Sequence, residues 1–448
     1  MVNDTKIQQI LSEEAGLFRQ RTPNSYATHS RAKVNWLSGV PMHWMVDWQL
    51  EYPVYIADAQ GITLTDVDGN RYLDFCLGDT GSMFGHTPPP MAEALSNAAQ
   101  HGLTTMLPSP DAEQVGEMLR DRFGMTAWQI TATASDANRA IIRWCRAITQ
   151  RKKILVYNQC YHGSVDETLV SLEDGQAWYD PALNSGERLP ATNVKVIEFN
   201  DIAALRAALV PGDVACVLAE PVMTNVGMVL PDPGYLQELR KITRETGTLL
   251  IIDETHTISS GPGGYCRVIG LEADGIVMGK PVAGGLPTGV YGFSAAAAER
   301  LNRYVTNRIY LRSGTVTTLA GSAIQLAMMK FVLAHYFTDA SFTPMIAGAT
   351  RMETGIAAII ARYKLPWHVV RVGARVEFMC TPNRPRNGGE ASLVIQRPID
   401  IALHNFLLNR GILITPFHNM MLISPSTQLA DIDEFLRVFE EAAERLSK

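Results

Sequence analysis

Between residues 89 and 300 the chain repeats one alternation, and it restricts the fold more than any other feature. Segments with apolar residues at helical spacing (89–102, 111–122, 135–149, 202–209 and 233–246) alternate with short apolar runs (153–157, 194–199, 215–218, 248–252, 275–278 and 290–293). A short, mostly apolar run between helices reads as a strand buried on both faces. Strands of that kind, spaced by helices, build parallel sheets with helices packed on the faces. The pattern predicts an α/β chain whose large domain is a mostly parallel sheet. In open sheets of this class, ligands bind beyond the carboxyl ends of the strands.

The flanking regions read differently. Residues 5–20 have the pattern of a short amphipathic helix, and 21–50 read as irregular and rich in Trp and Met (Trp36, Met42, Trp44, Met45, Trp48). Residues 53–75 read as a small antiparallel sheet with a tight turn at Asp68-Gly69-Asn70. Long helices are expected at 317–336 and 345–363, short strands at 370–379, 391–395, 411–415 and 420–424, and a closing amphipathic helix at 430–446. The expected organisation is a large domain over 76–320 and a smaller α+β domain built from both chain ends, 1–75 and 321–448.

Composition excludes several function classes. The chain has 448 residues, with 39 Lys+Arg against 45 Asp+Glu, a net charge of −6. It carries no basic footprint for nucleic acid and no polybasic membrane surface. Its six cysteines (76, 145, 160, 216, 266 and 380) form no CxxC pair and no Cys/His group with zinc spacing, so no metal centre is expected. Free thiols in a reducing compartment are the expectation. Asp4, Glu13 and Glu14 at the start, with no apolar core segment, do not read as a targeting peptide. No run approaches the roughly 18 apolar residues of a membrane span. A cytoplasmic location follows as the expectation.

The residues after each apolar run supply the chemistry. Asp253-Glu254-Thr255-His256-Thr257 follows 248–252, Gly279-Lys280 follows 275–278, Glu220-Pro221 follows 215–218, and Tyr161-His162-Gly163 lies just beyond 153–157. A lysine at the end of a buried strand needs a reason, because burial disfavours its charge. One reading is an ion pair with Asp253 or Glu254. The other is a nucleophilic Schiff-base lysine, with the carboxylate protonating a pyridine ring that acts as an electron sink.

Here the sequence resembles a known family. Segment 218–294 is similar to the class III pyridoxal-phosphate aminotransferases of fold type I. Its Glu220-Pro221…Asn225-Val226-Gly227…Pro231 portion resembles most the glutamate-1-semialdehyde aminomutase branch, which includes β-amino acid transaminases. The hairpin Asp66-Val67-Asp68-Gly69-Asn70-Arg71-Tyr72-Leu73-Asp74-Phe75 and the Gly85-His86 turn before Pro88 match further family motifs. The resemblance implies a pyridoxal 5′-phosphate enzyme with Lys280 as the Schiff-base lysine and Asp253 as partner of the pyridine nitrogen. It sets His256 near the cofactor's phenolic oxygen, the alternative being a histidine that fixes Asp253. It sets Tyr161 against the ring face, which suits a planar cofactor, and Glu220 near the site.

The same resemblance assigns the phosphate to Thr133, Ala134 and Ser135, at the start of the helix expected from 135. Helix N-termini supply N–H groups and a positive dipole end. The loop departs from the family at two positions: Ala134 stands in place of glycine and Asp136 in place of glutamate. The alternative for Thr133 or Ser135 is a plain helix cap. Thr315, in Arg312-Ser313-Gly314-Thr315, matches a threonine that reaches the phosphate of a neighbouring subunit, which implies a homodimer with shared sites. Relatives often carry an arginine shortly after the aspartate; here Ile258-Ser259-Ser260 and a Gly261-Pro262-Gly263-Gly264 run follow instead.

Substrates of this chemistry usually carry a carboxylate, which arginine binds bidentately. Arg31, Arg312 and Arg375 are the candidates, with Trp44 and Met42 lining an apolar pocket. The expected activity is a transaminase that moves an amino group from a small-molecule donor to a carbonyl acceptor. The alternative is an aminomutase or racemase on the same scaffold.

Overall fold

The computed structural model describes residues 4–306 and 315–447. The chain divides into two compact units. One comprises Met1–Pro88, Thr343–Arg384 and Val394–Lys448; the other comprises Pro89–Phe342 and Pro385–Leu393. Both chain ends meet in the first unit. The boundaries differ from the expected 76–320. The loop after Phe75 stays with the first unit, because its backbone is tied there: Phe75 N–H donates to Leu413 O at 2.8 Å and His86 N–H to Gly61 O at 2.6 Å. Helix Ala323–His335 stays with the second unit, where Gln325 Nε2 donates to Pro287 O at 2.9 Å.

The second unit holds a seven-stranded sheet. Its spatial order is Ala127–Thr131, Gly289–Phe293, Gly275–Met278, Leu249–Asp253, Val214–Ala219, Lys153–Tyr157, Val194–Ile197. Strand Gly289–Phe293 runs antiparallel to both neighbours, and the remaining pairings are parallel. Every residue of Val214–Ala219, Leu249–Asp253 and Gly275–Met278 is buried, as central strands covered on both faces must be. Each buried Ile, Leu or Val there contributes about 1.5–3 kcal/mol of apolar burial.

Helix Ala134–Thr149 lays Ala137, Ala140, Ile141, Trp144 and Cys145 onto this sheet. Thr133 caps its start, its Oγ1 accepting from Asp136 N–H at 3.2 Å, and Gln150 in the left-handed region closes its end. The helix start is pressed against the sheet so closely that a Cβ on Gly289 would sit 2.3 Å from Thr133 O. Only glycine fits there.

The first unit contains a four-stranded sheet (Ile56–Gln60, Thr63–Asp66, Arg71–Asp74, Ile412–Leu413) and a three-stranded one (His368–Val372, Arg375–Met379, Met420–Leu422). The expected strand at 391–395 is a helix, Gly388–Val394. Asn387 starts it by accepting from Glu390 N–H at 2.8 Å, a cap that outweighs the apolar run. Residues 21–50 are not irregular throughout: Pro23–Ala32 is a helix opened by its proline. Strand Ala127–Thr131 and helix Arg397–Asn409 lie outside the expected elements. No described helix is long and apolar enough to cross a membrane.

Candidate active site

Because the strands that carry them are parallel, their polar followers collect at one edge of the large sheet. Ala219 is in register with Ile252, and Asp253 with Val277. Glu220, Asp253 and Lys280 therefore follow three adjacent strands. His162 comes from the segment after Lys153–Tyr157, and Thr133 from the segment after Ala127–Thr131.

Asp253 is the centre of a buried hydrogen-bond set. Its Oδ2 accepts from Asn138 Nδ2 at 2.8 Å and from His162 Nδ1 at 2.9 Å, and its Oδ1 accepts from Thr255 N–H at 3.0 Å. Asn138 also donates to His162 O at 3.0 Å, which fixes the histidine backbone. Burial pushes the Asp253 pKa up, but His162, Thr255 and Asn138 overcome it and hold the carboxyl down at about 2. Asp253 is therefore an anion throughout the working range. Burial likewise disfavours the charged His162 imidazole, yet the neighbouring Cys160 and Asp253 carry its pKa well above the ordinary value.

Glu220 behaves in the opposite way. Burial raises its carboxyl to about 7, against smaller downward pulls from His162, Thr224 and Asn225. Thr224 Oγ1 donates to its Oε2, and Asn225 Nδ2 to its Oε1 at 3.3 Å. Glu254 is structural: Thr257 Oγ1 (2.6 Å), Tyr265 N–H (2.9 Å) and Cys266 N–H (2.6 Å) all donate to it and fold the segment after Asp253.

Lys280 begins the turn after Gly275–Met278 with φ 52°. A left-handed backbone at a non-glycine residue costs of order 1–3 kcal/mol and collects at functional sites. Its Nζ lies 2.8 Å from His256 Nε2.

At the helix start, Ser135 Oγ accepts from Ser164 N–H at 3.0 Å. The first-turn N–H groups of a helix have no intrahelical acceptor, so those of Ala134 and Ser135 lie at an exposed positive end. Gly163 makes the approach possible. Its φ is +83°, and a Cβ on it would lie 2.0 Å from Ser135 Oγ. Tyr161, half-buried, precedes His162.

A cofactor with a protonatable ring nitrogen, a carbonyl and a phosphate needs an anion, an amine and a phosphate cradle. Asp253, Lys280 and the start of helix Ala134–Thr149 offer those groups within one unit.

The remaining candidates are placed as follows. Thr315 is half-buried in the same unit, and Arg312 lies outside the described residues. Arg31 and Trp44 belong to the other unit. Arg31 is exposed and donates to Thr28 Oγ1 at 3.2 Å; Trp44 packs on Phe417 with ring centroids 5.2 Å apart. Arg375 is fully buried and donates to Thr80 Oγ1 at 2.6 Å. Asn138 and His162 are the functional residues missing from the expected set. The sequence signal for His162 was its position beside Tyr161 at a strand end; Asn138 offered only a polar residue on an otherwise apolar helix face. Among the described residues, no group of three or more His, Cys, Asp or Glu could hold a metal ion.

Comparisons with known proteins show which family the chain resembles. The family model for aminotransferase class III matches residues 45–443. A glutamate-1-semialdehyde 2,1-aminomutase from Halalkalibacterium halodurans is 30% identical over 408 residues, covering 88% of this chain and 92% of the relative. The crystal structure of a glutamate-1-semialdehyde-aminomutase from Pseudomonas aeruginosa PAO1 is 41% identical, with a TM-score of 0.93 and 99% of each chain covered. A lysine-to-alanine variant of a glutamate-1-semialdehyde-aminomutase from that organism was solved in complex with PMP. An omega-transaminase from Sphaerobacter thermophilus shares the fold at 24% identity, with a TM-score of 0.84 and 96% and 100% of the two chains covered. The fold is that of fold type I pyridoxal-phosphate enzymes, and pyridoxal 5′-phosphate is the cofactor. The chain belongs to the class III aminotransferase family of enzymes.

Proposed function

We infer that this protein is an aminomutase: it moves an amino group between neighbouring carbons of one small amino-carbonyl substrate of the glutamate-1-semialdehyde type. The observation that carries this reading is the 41% identity to the Pseudomonas aeruginosa aminomutase along 99% of both chains. The curated relatives at 27–30% identity also carry the aminomutase name. They favour the alternative over the transaminase expected from sequence.

Pyridoxal phosphate, when bound, supplies an electron sink for the carbon that carries the amine. The protein's residues do the rest. Asp253, held anionic, accepts from the ring N–H and keeps that nitrogen protonated. Thr133, Ala134 and Ser135 hold the phosphate at the helix start. Tyr161 covers the ring face. Lys280 anchors the cofactor, and its freed amine takes a proton from carbon at one position and returns it at another, a role worth roughly 10²–10⁴ in rate. Glu220, at the end of the strand next to that of Asp253, is a further cofactor-side residue of this reading. Arg31 and Trp44 are the substrate-side residues of this reading, with Arg312 a third. Thr315 completes the phosphate site of a second copy, which makes the working unit a homodimer. The six cysteines are unpaired, which suits the cytoplasm.

The test is product analysis with glutamate 1-semialdehyde as sole substrate and no added amino acceptor. Appearance of the isomer with the amine on the adjacent carbon supports the reading. Turnover that requires a separate carbonyl acceptor makes the protein a transaminase.

A further inference from the structure

Resting on the reading of Asp253 and Lys280 as the cofactor site, we propose that Cys160 is a modification site. Its thiol exchanges with small-molecule disulfides with the help of His162, and the mixed disulfide it forms excludes the cofactor. The disulfide is the only co-reactant. The Cys160 S–H bond breaks, Sγ attacks one sulfur of the reagent, and a new S–S bond forms as the old one breaks. The departing thiolate takes up a proton. Cys160 is oxidised to the mixed disulfide and the other half of the reagent is reduced to a thiol.

Exposure singles out this thiol. Five of the six cysteines are buried, and Cys160 is half-exposed. Burial also pushes the thiols of Cys76, Cys145, Cys266 and Cys380 up, which keeps them protonated and unreactive. The Cys160 backbone is fixed at the end of strand Lys153–Tyr157, its N–H donating to Tyr157 O at 3.2 Å. The thiol therefore stands directly before Tyr161 and His162 in the segment that reaches Asp253.

His162 is the second, independent observation. Its Nδ1 is bonded to Asp253 Oδ2 at 2.9 Å, yet its Nε2 has no hydrogen-bond partner although the residue is only 2% exposed. A buried polar atom left unpaired needs an explanation. Against burial, which works the other way, Cys160 is the largest influence raising the pKa of this imidazole, so the thiol lies beside the ring. The charged ring offers its Nε2–H to a sulfur that gathers negative charge as it attacks. The carboxylates nearby are engaged elsewhere: Asp253 by Asn138, His162 and Thr255, and Glu220 by Thr224 and Asn225. A substituent on Sγ would crowd Tyr161, which covers the ring face in the cofactor-site reading, and His162, which holds Asp253.

The experiment uses full-length protein stripped of cofactor, with dithiobis(nitrobenzoate) as the disulfide at neutral pH. Released thiolate is followed by absorbance, the modified cysteine is mapped by peptide mass spectrometry, and pyridoxal phosphate uptake is then measured. Cys160 should react at least about tenfold faster than any other cysteine. The modified protein should lose cofactor uptake and regain it with dithiothreitol, and protein loaded with cofactor beforehand should be protected. Cys160→Ser should take up cofactor with or without the reagent. His162→Gln should react about tenfold more slowly at Cys160, a difference that vanishes in urea. First modification on another cysteine overturns the proposal, as does full cofactor uptake by protein modified at Cys160. So does an unchanged rate in His162→Gln. Should the glutamine variant not fold, the wild-type mapping and uptake decide alone. The mapping needs no turnover and no cofactor. Wild type that takes up no cofactor before treatment would instead defeat the reading of the cofactor site.

Discussion

Replacing Asp253 by Asn tests the charge design of the site, because the two side chains have the same shape. In the wild type the carboxyl is held at about 2, against a reference of 3.8. That depression is worth on the order of 2 kcal/mol of stability at neutral pH. Asn has a second cost. Asp253 receives N–H groups from Asn138, His162 and Thr255. The amide NH₂ of an asparagine must face at least one of those donors, which leaves a buried donor unsatisfied at about 1–3 kcal/mol. The same donors enter both effects, so the two overlap, and the expected loss in cofactor-free protein is roughly 2–3 kcal/mol. The sign with pH follows from a depressed folded-state pKa. The carboxylate's contribution is fully present above 3.8 and is lost as pH falls toward 2. Urea denaturation of the cofactor-free proteins, read by fluorescence across that pH range, is the assay. Asp253→Asn should unfold at clearly lower urea near neutrality, and the gap should narrow on acidification. Equal midpoints at neutral pH, or a gap independent of pH, would refute the claim that hydrogen bonds overcome burial here.

Glu220 should show the opposite pH dependence. Its pKa is raised from 4.5 to about 7, so native stability falls by ~3 kcal/mol as pH rises through that interval. Urea unfolding of Glu220→Gln should lack this decline; parallel curves would contradict it. Gly163→Ala drives a Cβ against Ser135 Oγ at a backbone angle that disfavours alanine. It should lower stability by about 1–3 kcal/mol and weaken phosphate affinity, checked by thermal melting and inorganic phosphate titration. Lys280→Gly relieves the left-handed strain at Lys280. The cofactor-free variant should melt no lower than wild type while losing all turnover, and a large drop in melting temperature would argue against stored strain.

How much of this was legible in sequence depended on burial. The central strands around Leu218, Ile251 and Val277 are covered on both faces, so their sequences are unbroken apolar runs and their ends announced Glu220, Asp253 and Lys280. Strand Ala127–Thr131 lies at the sheet edge, where Gln129 is exposed, and its mixed composition hid it. Segment 391–395 reads as a strand because Leu393, Val394 and Ile395 suit one, yet Leu393 is 86% exposed on a short capped helix. Helix Pro23–Ala32 buries only Ser25 and His29, so no apolar stripe betrays it. The partners of Asp253 were hidden for a different reason. Asn138 and His162 are 115 and 91 residues away in sequence, one on helix Ala134–Thr149 and the other on the segment after strand Lys153–Tyr157. Local pattern reports burial well, but a hydrogen bond between distant elements has no local signature.

The central claim is that Lys280 carries the cofactor beside an anionic Asp253. The most direct measurement is borohydride reduction of the protein loaded with pyridoxal phosphate, followed by peptide mass spectrometry. The account predicts that the reduced cofactor is found on the peptide containing Lys280, and that Asp253→Asn shifts the absorbance of the bound cofactor without moving the attachment. A cofactor found on another lysine, or none retained on any, would contradict it.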